Sequence, residues 1–410
     1  MTSLLVDNVA TLVSNQAGTG EGRCGVLRDA AILVEAGRVV WLGAREEVPQ
    51  ASGAERHDAA GRALIPGFVD SHAHLVFAGD RTPDFVARMA GTRYAVGGIL
   101  STVAATRAAS TAQLFNNAAR LVSEALAAGT TTIECKSGYG LHVADEVRSL
   151  EVAAEHTDET TFLGAHTVPA EYTGRVDAYV DLVRGEMLEA CAPLARWVDV
   201  FCERGAFDAE QSRAVLTAGI SRGLGARVHA NQLGPGPGVQ LAVEVGAASA
   251  DHCTHLSNAD VEALAGASTV ATLLPAADFC TRSPYPDART LVDAGATVAL
   301  ASDCNPGTSY TTNLPLCIAL AVRELHLTPD EAVWAATAGG AAALRRSDVG
   351  HLGLGARFNA VLLEAPTHHH LAYRPGVPLV AAVWRDGVLV AGPRRDEGPA
   401  FRAPEATAAR

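Results

Sequence analysis

No stretch of this chain is apolar for long enough to span a bilayer, so no membrane partner is expected. The opening run Met1-Thr2-Ser3-Leu4-Leu5-Val6-Asp7 lacks a basic leader and a long apolar core, so no secretory signal is expected. None of the eight cysteines (Cys24, Cys135, Cys191, Cys202, Cys253, Cys280, Cys304 and Cys317) forms a Cys-x-x-Cys pair. A chain of 410 residues also needs no disulfide staples. The cysteines therefore read as small buried hydrophobes in a reducing compartment. There is no basic stripe either. Lys and Arg number 32 against 45 Asp and Glu, a formal net charge of −13, which argues against a nucleic-acid partner. A cytoplasmic protein follows as the expectation.

What is present is a run of short apolar segments alternating with helical patterns. Candidate strands lie at 130–135, 161–165, 197–202, 226–230, 248–252, 269–274 and 297–302, and the segment ending at His74 makes eight. Most are too apolar to be half exposed, as expected of parallel strands covered on both faces. Between them, Ser110 or Thr111 can cap a helix carrying Leu114, Ala118, Leu121, Val122 and Ala125, stopped near Gly129. Asp208, Asn258 and Thr328-Pro329 read as further helix starts. The fold class is α/β, with a (β/α)8 TIM-like barrel.

The ends differ. Residues 31–43 read as a hairpin turning at Ala36-Gly37, and 381–390 as another turning at Asp386-Gly387. The chain is therefore divided into a small composite β domain built from residues 1–61 and 356–391, with the barrel, residues 62–355, inserted between them. Residues 392–410 turn to Pro, Arg, Glu and Ala and read as a poorly ordered tail.

Polar residues fall where the predicted strands end. His72 and His74 close the first, in Pro66-Gly67-Phe68-Val69-Asp70-Ser71-His72-Ala73-His74. Alternate strand residues share a face, so both imidazoles point the same way. His166 ends the third strand, His229 the fifth, His252 the sixth, and Asp303 the eighth. Sites in such barrels form at this end of the strands. His72, His74, His229 and Asp303 can gather one metal ion. Imidazole suits zinc or iron, and an open site can make water a nucleophile, so hydrolysis is the expected chemistry.

These histidines belong to longer segments. They are the run above continued through Leu75-Val76-Phe77-Ala78-Gly79-Asp80-Arg81; Glu134-Cys135-Lys136-Ser137-Gly138-Tyr139-Gly140-Leu141; Thr161-Phe162-Leu163-Gly164-Ala165-His166; His229-Ala230-Asn231-Gln232-Leu233; and Ser302-Asp303-Cys304-Asn305-Pro306-Gly307-Thr308. On them, from about residue 5 to about residue 390, the chain resembles the amidohydrolase superfamily. It is most similar to the branch that hydrolyses the cyclic amide C–N bond of 4-imidazolone-5-propanoate to N-formimidoyl-L-glutamate in histidine degradation. The resemblance implies one divalent or trivalent ion, zinc or iron, on His72, His74, His229 and Asp303. It also implies substrate contacts from Arg81, Tyr139 and His166, with Asn305, Gly307 and Thr308 nearby. Arg81 can grip a carboxylate bidentately. Tyr139, flanked by Gly138 and Gly140 in a flexible turn, offers a hydroxyl and a ring face.

Gln232 stands where many deaminases of the superfamily carry a proton-shuttling glutamate. An amide cannot exchange protons that way, though it can hold a polar group of the substrate. Catalysis then falls to Asp303 and His252. Water activated at the metal would attack the ring carbonyl, and His252 would steady the oxyanion. Asp303 would carry the proton to the departing nitrogen. His252 as general base is the alternative. Lys136 follows the second strand rather than the fourth, which favours one metal over two, and Glu203 is a candidate supporting acid. Asn231 and Cys304 depart from the superfamily pattern without removing a ligand. The run His368-His369-His370 is expected to hold no metal. A homodimer is the default expectation. The competing readings are another cyclic amide or amidine hydrolase, including a deaminase, and a barrel that serves only as a scaffold.

Overall fold

The computed structural model describes residues 3–50, 53–91 and 98–392. The tail expected from residue 392 onward falls, after Gly392 itself, outside the described residues. The first five strands are β1 (Ser3–Val13), β2 (Val26–Glu35), β3 (Arg38–Ala44), β4 (Glu55–Asp58) and β5 (Ala63–Pro66). The barrel strands follow as β6 (Phe68–Asp70), β7 (Thr130–Lys136), β8 (Glu159–Ala165), β9 (Trp197–Cys202), β10 (Gly225–Ala230), β11 (Ser249–His252), β12 (Val270–Leu273) and β13 (Val298–Leu300). The chain returns to the first sheet with β14 (Ala360–Leu363), β15 (Val380–Arg385) and β16 (Val388–Ala391).

Strands β6 to β13 pair in chain order, all parallel, and helices separate them. Their residues are buried almost throughout, as a parallel sheet covered on both faces requires. This is a (β/α)8 barrel with a small β domain. The small sheet runs β16-β15-β14-β5-β1-β2-β3, with β4 beside β1, so it interleaves both ends of the chain. β5 is the splice: it pairs with β1 and β14, and the barrel begins two residues after it. Both predicted hairpins form. Their turns need left-handed backbone, which Ala36-Gly37 (φ 48° and 76°) and Asp386-Gly387 (φ 52° and 78°) adopt. The two turns meet, and a Cβ on Gly37 would lie 2.5 Å from the Asp386 carbonyl oxygen.

Helix starts follow local capping chemistry. Ser110 caps Thr111–Ala127 through a reciprocal exchange with Gln113, Asp208 caps Ala209–Ser221 with Gln211, and Thr328 caps Pro329–Trp334 with Glu331. Each cap contributes about 1 kcal/mol. The helix expected to start at Asn258 runs Asn258–Ala265, capped by Ser257 through a reciprocal exchange with Asp260. Leu114, Ala118, Leu121 and Ala125 face the barrel. Burial of a side chain such as Leu114 contributes about 1.5–3 kcal/mol.

The first and last barrel strands end earlier than their apolar runs. β6 stops at Asp70 and β13 at Leu300. Beyond them an isolated bridge between Ala73 and Cys304 closes the cylinder. The His74 amide donates to the Cys304 carbonyl (2.9 Å), and the Asp303 amide to the His72 carbonyl (3.0 Å). Among the described residues, no helix is long and apolar enough to cross a membrane.

Candidate active site

His72 and His74 sit on the closing bridge, His229 inside β10, His252 at the last residue of β11, and Asp303 just past β13. All open to one end of the barrel. Nε2 of His72 lies 3.3 Å from Nε2 of His74, which lies 3.4 Å from Nε2 of His229. Oδ1 of Asp303 lies 3.5 Å from His72 Nε2 and 3.6 Å from His74 Nε2. Tetrahedral coordination with bonds of about 2.0–2.1 Å separates donor atoms by about 3.3–3.4 Å. The donor set therefore fits an ion. Burial holds the imidazoles of His72 and His74 well below their usual range, so they are neutral and ready to ligate. Burial pushes the Asp303 carboxyl up to about 7, a charge in want of a cation.

The outer nitrogens of His72 and His229 are held as metal histidines require, whereas His74 Nδ1 has no hydrogen-bond partner among the described residues. His72 Nδ1 is 2.8 Å from Asp251 Oδ2, and His229 Nδ1 is 3.1 Å from Asp199 Oδ1. Each of these carboxylates faces a fully buried cation. Arg227 approaches Asp251 at 3.3 Å while donating to the Ser71 and Ala343 carbonyls. Lys136 Nζ lies 2.9 Å from Asp199 Oδ2 and 2.8 Å from Glu134 Oε1. Burial alone would raise the Asp199 carboxyl, but His229 and Lys136 hold it well below the usual range. Lys136 is thus committed to carboxylates. This network was missed from sequence, although its signal was there: charged residues in apolar strands, two residues apart on one face (Glu134 and Lys136, Arg227 and His229).

A narrow cavity opens over the cluster, lined by His74, Arg81, Tyr139, His166, Gln232, His252, Asp303, Asn305, Gly307 and Thr308, with Ile99, Phe201 and His229. His166 stacks on His74 (ring centroids 5.3 Å apart, 21° between planes) and directs Nδ1 at the Gly138 carbonyl (2.8 Å). Burial, with His229, pushes its imidazole down to about 4. Burial and His229 likewise hold His252 well below the usual range. His252 sits at φ 77°, left-handed backbone that a non-glycine residue adopts only at a cost. Arg81 is buried, pairs with Asp84 through Nε, and donates to Thr102 Oγ1 (3.2 Å).

The turn carrying Tyr139 was expected to be flexible, and it is pinned instead. The buried Glu146 carboxylate accepts the amides of Gly138 (3.0 Å), Gly140 (2.8 Å) and Leu141 (2.7 Å). Gly138 itself has φ 103°, and a Cβ there would lie 3.1 Å from His166 Nδ1. Asn305 spends its amide on its own loop. Nδ2 donates to the Asp303 carbonyl (2.6 Å) and Thr308 Oγ1 (2.7 Å), and Oδ1 accepts the amides of Gly307 and Thr308, each at 2.8 Å. Thr308 Oγ1 then donates to Asp303 Oδ2 (3.0 Å), which leaves Oδ1 toward the imidazoles.

Residues 63–392 match the amidohydrolase family, and the chain belongs to it. Its similarity to curated proteins is more specific. It is 68% identical over 390 residues to an imidazolonepropionase of Mycolicibacterium smegmatis, covering 95% of this chain and 98% of that one. It is 64% identical over 387 residues to that of Streptomyces coelicolor, covering 94% and 98%. Within the family the chain therefore belongs with the imidazolonepropionases. Solved structures share the fold. Atrazine chlorohydrolase from Arthrobacter aurescens complexed with zinc superposes with TM-score 0.71 at 17% identity, covering 95% of each chain. Guanine deaminase from C. acetobutylicum superposes with TM-score 0.71 at 14% identity, covering 95% of this chain and 100% of that one.

Proposed function

We propose that this enzyme hydrolyses the cyclic amide C–N bond of 4-imidazolone-5-propanoate, giving N-formimidoyl-L-glutamate, in the cytoplasm and as a step of histidine degradation. One observation carries the reading. A single cavity joins His74, His229 and Asp303 of the donor set to a buried arginine, a tyrosine, a histidine and a glutamine amide. His72, His74, His229 and Asp303 would hold one zinc or iron ion, which when bound would acidify water and polarise a carbonyl.

The side chains divide the remaining work. Arg81 takes the propanoate carboxylate through its guanidinium fork. Tyr139 and His166 pack the planar ring, and Gln232 offers an amide to its polar edge. Water adds to the ring carbonyl carbon, and its proton passes to Asp303. Oδ2 is the oxygen turned from the imidazoles, and Thr308 Oγ1 can switch there from donor to acceptor. His252, neutral by burial, donates a hydrogen bond to the developing oxyanion. The C–N bond breaks, and Asp303 returns the proton to the departing nitrogen. Gln232 removes the carboxylate that a deaminase would use for the same transfer.

The test is spectroscopic consumption of 4-imidazolone-5-propanoate by metal-loaded protein beside His229→Ala. Turnover by the wild type and its loss in the variant are expected. An inert metal-loaded wild type overturns the proposal.

A further inference from the structure

A second gathering of metal-type donors lies away from the catalytic cavity. His368 and His369 both direct Nε2 at one oxygen of Asp330, at 2.6 Å and 2.9 Å from Oδ1. Three potential ligand atoms thus lie close enough together to share one ion. Asp330 opens the helix Pro329–Trp334, which packs on the barrel, whereas the histidines lie between β14 and β15 of the small sheet. Cys24, between β1 and β2, adds a thiol hydrogen bond to the Asp330 carbonyl (3.2 Å). The cluster therefore sits where the two parts of the molecule meet.

The two rings have different surroundings. His368 is 2% exposed, so packing fixes its orientation. The His369 side chain is 54% exposed, which leaves a solvent face where water can complete coordination. Two imidazoles and one carboxylate are a borderline donor set. They suit zinc, nickel or copper and not calcium or magnesium, which take oxygen ligands. We propose that Asp330, His368 and His369 form a second divalent-cation site that ties the small β domain to the barrel. The His368-His369-His370 run, set aside on sequence grounds, supplies two of its ligands.

The same geometry bounds its strength. In the catalytic cluster two of the three histidines, His72 and His229, rest their outer nitrogens on carboxylates, and only His74 Nδ1 lacks a partner. His368 Nδ1 is buried without a hydrogen-bond partner. A ligating histidine that lacks this support loses about 10–100-fold in affinity. The second ion is therefore held more weakly than the catalytic one and leaves first on dialysis.

Zinc uptake by the full-length protein tests this, measured by equilibrium dialysis and elemental analysis. Wild type is compared with His369→Ala, whose exposed position keeps folding intact, and with Asp330→Asn. Wild type should bind one more zinc than either variant, whatever ion the catalytic site holds. His229→Ala should retain that additional zinc. Zinc should also raise the unfolding temperature of the wild type more than that of His369→Ala, with substrate turnover unchanged in that variant. Equal zinc stoichiometry in wild type and His369→Ala overturns the proposal, and so does an additional ion that calcium displaces at equal concentration.

Discussion

Asp199→Asn separates the support of the metal ligands from the ligands themselves. The substitution keeps an oxygen that can accept from His229 Nδ1, now 3.1 Å away, and removes the charge behind it. His229 becomes a less basic donor. Lys136 loses its 2.9 Å partner but keeps Glu134 at 2.8 Å, so no buried cation is orphaned. The stability cost should stay below the about 3–5 kcal/mol of breaking a buried pair outright. Affinity for the ion should fall about 10–100-fold, equivalent to about 1.4–2.8 kcal/mol. Competition between the protein and a chelator of known zinc affinity reads this directly. Turnover measured at saturating metal should recover most of the wild-type rate, because no group touching substrate has changed. If affinity stays within about twofold of wild type, Asp199 does not tune the centre and the supporting-network argument fails.

Other outcomes follow from the same geometry. Arg81→Ala should lower kcat/KM by about 10–100-fold, chiefly through KM, as expected for loss of a charge-assisted hydrogen bond; an unchanged KM in steady-state assays would remove the carboxylate grip. Thr308→Val should leave Asp303 Oδ2 unpaired and weaken metal binding by about tenfold, and a chelator titration that matches wild type would refute the Asn305–Thr308–Asp303 relay. In the ion-free protein the Asp303 carboxyl sits at about 7, above its ordinary value, so it holds a proton below that pH which a cation must displace. His72 and His74 are already neutral, so zinc affinity should drop by about fivefold between pH 7 and pH 6 and level off above pH 8. Calorimetric affinities flat from pH 6 to pH 8 would contradict that assignment.

Much of this was legible in the chain because several signals agreed. The apolar runs at 130–135 and 197–202 are too uniform for half-exposed strands, and Ser110, Asp208 and Thr328 announce helices by local hydrogen bonding. The four metal-type residues stand out because imidazoles and a carboxylate at strand ends have few other uses. Less was legible where a residue's role depends on another strand. Asp199 meets His229 only through the pairing of β9 with β10, and Asp251 on β11 meets His72, beyond β6, only because the barrel closes. Nothing in the sequence around Glu146 shows that its carboxylate holds the Tyr139 turn. The ends of the first and last barrel strands were set too late because apolar character continues past the last paired residue, where the closing bridge takes over.

That bridge has a consequence for how the enzyme fails. Amides of two of the proposed ligands, His74 and Asp303, sew the first and last staves of the cylinder together. The wall cannot gape there without pulling the donors apart, and the donors cannot drift without unpicking the wall. Structural integrity and chemical competence therefore share one joint. Wear at that joint, from heat or from loss of the ion, should register in both at the same moment.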